Sequence, residues 1–147
     1  MSMFSNILVG YDGSKNAARA VEKAAEIAAL CDAELSVLTI FRHYSMLEAS
    51  LSMVRASDPG SIDDAMSSYA KETAEFGKAM ALDHGAARAR GFVKSGPPAR
   101  TLIDFAEKHD VDLIVIGSRG LGSIENYLLG SVSHKVSGLA SCPVLVV

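Results

Sequence analysis

The chain has 147 residues, 49% of them hydrophobic and 21% charged, which matches the length of one domain and supplies a core of ordinary size. A formal net charge of −3 with no clustered run of Lys and Arg argues against a nucleic-acid surface. The longest apolar runs, Leu113 to Ile116 and Val144 to Val147, are far too short to span a bilayer.

Strand and helix signals alternate from the start of the chain. Phe4 to Val9, with the apolar run Ile7-Leu8-Val9, reads as a first strand and not as a signal peptide. Turn residues Gly10-Tyr11-Asp12-Gly13 follow, and Ser14 is a good N-cap for a first helix whose Ala17, Val21, Ala24 and Ala28 keep a helical period. Leu35 to Ile40 is the second strand. The stretch from about His43 to Gly60 has no period and reads as a long loop. Its Met46, Leu51, Met53 and Val54 read as loop packing, or else as a lid or partner surface.

A second helix is expected from about Ile62 to Leu82, with Ile62, Met66, Tyr69, Thr73, Phe76 and Met80 on one face and Gly77 as a mild local cost. Ala87 to Val93, which alternates Arg88, Ala89 and Arg90, suits the edge of a sheet better than its centre. Pro97-Pro98 opens a third helix that ends near His109. Asp112 to Gly117 is the clearest buried parallel strand, a fourth helix runs from about Gly130 to Ala140, and Pro143 to Val147 is a fifth strand. This rhythm predicts an α/β fold: a doubly wound five-stranded parallel sheet in the order 3-2-1-4-5 with helices on both faces.

In that order the first and fourth strands are neighbours, and ligands bind at the carboxyl ends of strands where the winding reverses. Both glycine-rich loops lie there. The second reads Gly117-Ser-Arg119-Gly120, then nine residues, then Gly130-Ser131. Glycine at a strand exit lets backbone amides approach a phosphate, and Gly130-Ser131 opens a helix whose first N–H groups are unpaired. Ser131 and Ser133 can add hydroxyl donors. Neither GxxxxGK[ST] nor GxGxxG is present, which sets aside the P-loop and the usual dinucleotide fingerprint.

Several residues keep two readings. Asp12 is a ligand residue or simply a turn aspartate, and Arg119 meets a phosphate or only solvent. His134 and Lys135 read as solvent-facing; His43, His84 and His109 lack metal-ligand spacing and read as surface residues. Cys31 and Cys142 read as small buried hydrophobes, and the reducing cytoplasm is the expected compartment.

The glycine-serine spacing, G-x2-G-x9-G-[S/T], resembles the ATP-binding signature of universal stress proteins. It occurs together with Ile7-Leu-Val-Gly-Tyr-Asp12-Gly-Ser14, Leu38-Thr-Ile40 and Cys142-Pro-Val-Leu-Val-Val147, in the family's order and over essentially the whole chain. The resemblance implies that Asp12 lies near the ribose or a phosphate-bound magnesium ion and that Ile40 packs on adenine. Gly117 and Gly120 would line ribose and phosphates, while Gly130, Ser131, Val132 and Ser133 hold the phosphates. Gly10, Tyr11, Ile116 and Arg119 complete the candidate set at the same strand ends.

The resemblance also implies a homodimer through the terminal strand, since an uncovered apolar edge at Val144 to Val147 invites pairing about a twofold axis. The expected function is an ATP-binding (or ADP- or AMP-binding) stress-response regulator, a dimeric switch that answers to a protein partner. Slow ATP hydrolysis and a nucleotide-free dimerising module are the alternatives. Fast hydrolysis is disfavoured because Glu125 is the one acid near the loops besides Asp12.

Overall fold

A computed structural model describes residues 3–41, 59–119 and 130–147. The strands are β1 (Asn6–Gly10), β2 (Glu34–Phe41), β3 (Arg88–Ser95), β4 (Leu113–Ile116) and β5 (Val144–Val146); the helices are α1 (Lys15–Cys31), α2 (Pro59–Asp83), α3 (Pro98–Lys108) and α4 (Ser131–Leu139). All strand pairs are parallel and the order is β3-β2-β1-β4-β5, as the alternation predicts. Leu8 of β1 stands in register between Ser36 of β2 and Ile114 of β4, so the strand that begins the sheet is also its centre. Its Ile7, Leu8 and Val9 are buried, as are all four residues of β4, which is why both read as nearly unbroken apolar runs.

Each face of the sheet carries its own core. On one face α1 and α2 cover Ile7, Val9, Tyr11, Leu35, Val37, Leu113 and Val115. On the other, α3 and α4 cover Leu8, Leu38, Ile114 and Ile116 with Leu102, Phe105 and Val136. Cys31 and Cys142 are half-buried free thiols, each packed against one of these cores, less buried than the sequence suggests.

Local chemistry sets the helix ends. The Ser14 hydroxyl accepts the Ala17 N–H at 3.1 Å to cap α1. The helix closes on Asp32 in the left-handed region at φ 52°, whose N–H returns to the Ala28 carbonyl. At the amino ends of the strands the Asp112 carboxylate accepts the Ser5 and Asn6 N–H groups at 2.9 and 3.0 Å, pinning the entry to β1 beside β4.

The second helix departs from expectation twice. It begins at Pro59, ahead of Ile62, because proline fits a first turn and Gly60 and Ser61 do not prevent it. The remainder of the loop expected from His43 to Gly60 lies outside the described residues. The packed face is also different: Ala70, Ala74 and Ala81 are buried whereas Tyr69 and Phe76 are 71% and 64% exposed. The side chain of Ile62 lies outside the described set. The reason is steric. A Cβ on Gly77 would meet Tyr11 Cδ2 at 2.8 Å and Val37 Cγ1 at 2.9 Å, so α2 crosses the sheet too closely for anything larger than alanine in its seam. Gly77 is therefore a packing requirement and not a tolerated flaw.

Candidate functional site

The carboxyl ends of β1 and β4 lie side by side, and the two glycine-rich loops leave them together. The first is held by its own short-range bonds. Asp12 is half-buried and its Oδ1 accepts the Ser14 N–H at 2.9 Å, the self-capping turn that the Asp-Gly pair suggests. Gly13 takes φ 87°, a value open mainly to glycine. Tyr11 belongs to this loop by sequence only. Its N–H goes to the Leu38 carbonyl at 2.9 Å, its carbonyl accepts the Thr39 hydroxyl at 2.9 Å, and its ring is buried in the core under α2. Burial pushes the Tyr11 phenol above its ordinary pKa, and the neighbouring Asp12 and Tyr69 push the same way.

The second loop is organised around Gly117. A Cβ there would come within 2.9 Å of the Asn16 carbonyl carbon and oxygen and 3.2 Å of the Ala17 nitrogen, so the first turn of α1 runs directly against it. Its carbonyl accepts the Ser133 hydroxyl from the first turn of α4. The amino-terminal turns of α1 and α4 thus meet at one glycine, which brings the positive ends of two helix dipoles to the end of β4. The loop base is closed by the Gly130 N–H donating to the Ser118 carbonyl at 2.6 Å. Ser118 in turn donates its N–H to the Val147 carbonyl at 2.8 Å, tying the loop to the end of β5.

These bonds sort the candidate residues. Gly130 spends its amide on Ser118, and the buried Ser133 spends its hydroxyl proton on Gly117, so both build the site frame. The first intrahelical bond of α4 runs from the His134 N–H to the Gly130 carbonyl. The N–H groups of Ser131, Val132 and Ser133 precede it and have no partner among the described residues. Ser131 is exposed, while Val132 is half-buried against the α3–α4 core.

Ile40, next to last in β2, is half-buried, and Gly10 ends β1, where a Cβ would press on Leu102 Cδ1 at 2.9 Å. Ile116 is buried, and its carbonyl accepts the Val147 N–H at 2.9 Å. Arg119 is half-buried at the edge of the described loop; Gly120 and Glu125 lie outside the described residues. His134 and Lys135 are exposed, as expected. His109 is exposed yet stacks on Phe105, with ring centroids 3.9 Å apart.

The sequence motifs contain Thr39, Ser118 and Val147 without assigning them a role in the frame of the site. A hydroxyl in an apolar strand is a faint signal for Thr39, and the main-chain bonds of the other two leave no signal in the sequence. Among the described residues no group of three His, Cys, Asp or Glu could hold a metal ion, and no helix is long and apolar enough to cross a membrane.

A model described as the universal stress protein family matches residues 3–147. The chain is 37% identical over 148 residues to Universal stress protein YxiE of Bacillus subtilis, spanning 99% of each. It is 36% identical to a universal stress protein of Thermus aquaticus, again over 99% of both chains. Universal stress protein UspA from Lactobacillus plantarum matches in structure with a TM-score of 0.84 at 27% identity, covering 100% of this chain and 99% of that one. A universal stress protein solved in complex with cAMP matches with a TM-score of 0.71 at 28% identity, covering 99% and 98%. This chain belongs to the universal stress protein family.

Proposed function

We propose that the chain binds an adenine nucleotide, ATP in the first instance, across the ends of β1 and β4, and that occupancy regulates a dimer joined along β5. The observation that carries this reading is the convergence of two helix amino termini on Gly117, with three consecutive amides at Ser131, Val132 and Ser133 that have no partner among the described residues. Such an arrangement favours a phosphate through both hydrogen bonding and dipole.

The Ser131 to Ser133 amides and the Ser131 hydroxyl hold the phosphates. Ile40 offers an apolar surface to adenine, and Asp12 stands at the ribose side of the crevice. Magnesium arrives with the nucleotide: one carboxylate plus phosphate oxygens suits that ion, which keeps several waters and needs no all-protein cage. Gly130 and Ser133 act by holding the frame. The half-buried apolar β5 at the sheet edge is the surface for a second copy.

A second reading, a nucleotide with fewer phosphates, draws support from two observations. Ser133 has committed its hydroxyl proton to Gly117, which removes one donor from a triphosphate. The structural relative in complex with cAMP holds a monophosphate.

The test is mass spectrometry of nucleotide released on denaturation, then calorimetric titration with ATP, ADP, AMP and cAMP, each with and without magnesium. Saturable binding that disappears in a folded Gly130→Val/Ser131→Ala variant supports the reading. A folded protein that takes up none of the four overturns it.

A further inference from the structure

The opposite edge of the sheet has a different chemistry. β3 is an eight-residue edge strand paired only with β2 among the described residues. The Gly96 N–H points inward, to the Phe41 carbonyl at 2.9 Å, which fixes the alternation: even positions of β3 turn their N–H and C=O groups toward β2, and odd positions turn theirs outward. Ala89, Gly91 and Val93 therefore present main-chain donors and acceptors to the outside, with no partner among the described residues.

The even side chains Arg90, Phe92 and Lys94 share one sheet face, on which Phe92 packs against the ring of Phe105 with centroids 5.0 Å apart. Arg88 is already engaged, donating to the Asp32 carbonyl at 2.7 Å and lying 4.0 Å from Glu34. Arg90 and Lys94 are exposed and have no ion-pair partner among the described residues, on a chain whose net charge is −3.

We infer that β3 accepts an acidic extended peptide of a partner protein as a sixth strand. Main-chain bonds to Ala89, Gly91 and Val93 supply the pairing, and two acidic side chains of the peptide meet Arg90 and Lys94. Arg90 and Lys94 lie four residues apart, about 13 Å at the strand rise of about 3.3 Å per residue. The matching sequence thus carries acids at i and i+4 and an apolar residue at i+2 beside Phe92. A second copy of this chain does not fit there, because its own arginine and lysine would face these across the edge.

The probe is a fluorescein-labelled peptide, TETVTET, followed by fluorescence anisotropy against the full chain. Saturable binding below about 1 mM is expected, weaker by about tenfold or more for TKTVTKT and for an Arg90→Glu/Lys94→Glu variant. Val93→Pro removes an outward N–H while leaving the β2 ladder and both charges in place, and it is expected to weaken binding by a similar factor. Should that variant fail to fold, TETVTET N-methylated on alternate residues tests the same bond from the peptide side. No saturation by TETVTET, equal binding of the charge-reversed pair, or indifference to both backbone blocks overturns the inference. The peptide assay is run without nucleotide, because Lys94 stands in register beside Ile40, and its outcome is read separately from the nucleotide titration.

Discussion

The Ser133 hydroxyl donates to the Gly117 carbonyl, joining the first turn of α4 to the end of β4 in a buried setting. This bond fixes the first turn of α4, with its amides, against the end of β4. The two serines of the same turn therefore have separable jobs. Ser133→Ala is expected to cost about 1–3 kcal/mol in urea denaturation, because a buried carbonyl loses its donor. Ser131→Ala, on the exposed side, is expected to leave stability within about 0.5 kcal/mol while weakening nucleotide binding severalfold. Equal stability losses in the two variants would contradict the assignment.

Gly117→Ala tests the meeting of α1 and β4. Its methyl has no flexible neighbour to displace, since the atoms at 2.9 Å are main chain of Asn16. Destabilisation of about 1–3 kcal/mol by overpacking is expected, together with loss of nucleotide binding in calorimetry as α1 is driven from the crevice.

Gly77→Ala sets two effects against each other. Alanine favours a helix interior by about 1 kcal/mol, yet its methyl would enter the space held by Tyr11 and Val37. The clash is expected to win, giving net destabilisation of about 1–2 kcal/mol in thermal or urea unfolding. Tyr69→Ser and Phe76→Ser, on the exposed side of the same helix, are expected to stay within about 0.5 kcal/mol.

The Tyr11 phenol titrates above its ordinary value of 10.0 because burial disfavours the phenolate. The unfolded chain then releases this proton at lower pH than the folded one. The stabilising contribution is complete below about pH 10 and is lost as pH rises through the folded-state pKa. Urea unfolding curves at stepped pH are expected to show wild type losing stability above that point relative to Tyr11→Phe. Curves that stay parallel would place the phenol in water. The absence of tryptophan leaves tyrosinate absorbance unobstructed for following the titration directly.

Much of this architecture was legible because β1, β4 and β5 are short, apolar and marked on one side by glycine or proline, and because Arg88 and Arg90 marked β3 as an edge. The small-residue spine of α1 was equally plain, with Ala17, Val21, Ala24 and Ala28 all buried. The seam of α2 was not. Large side chains dominate a periodicity reading, whereas this helix packs through Ala70, Ala74, Gly77 and Ala81, and only the distance to the sheet shows why. The same holds at the crevice. Glycine spacing located the loops, but it could not distinguish Ser131, whose amide and hydroxyl are outward, from Ser133, whose hydroxyl is turned inward to Gly117. That distinction depends on a residue sixteen positions away.

The sheet has unlike rims, an apolar one at β5 and a cationic one at β3. Five strands at about 4.8 Å set these rims about 19 Å apart. Two copies joined along β5 would carry their cationic rims at the far ends of one continuous assembly, facing away from each other. A partner that displays two acidic segments on a tether long enough to reach both would then engage bivalently, gaining avidity from geometry alone. Dissociation of the pair would convert that tight grip into two weak ones without changing a single contact at either rim.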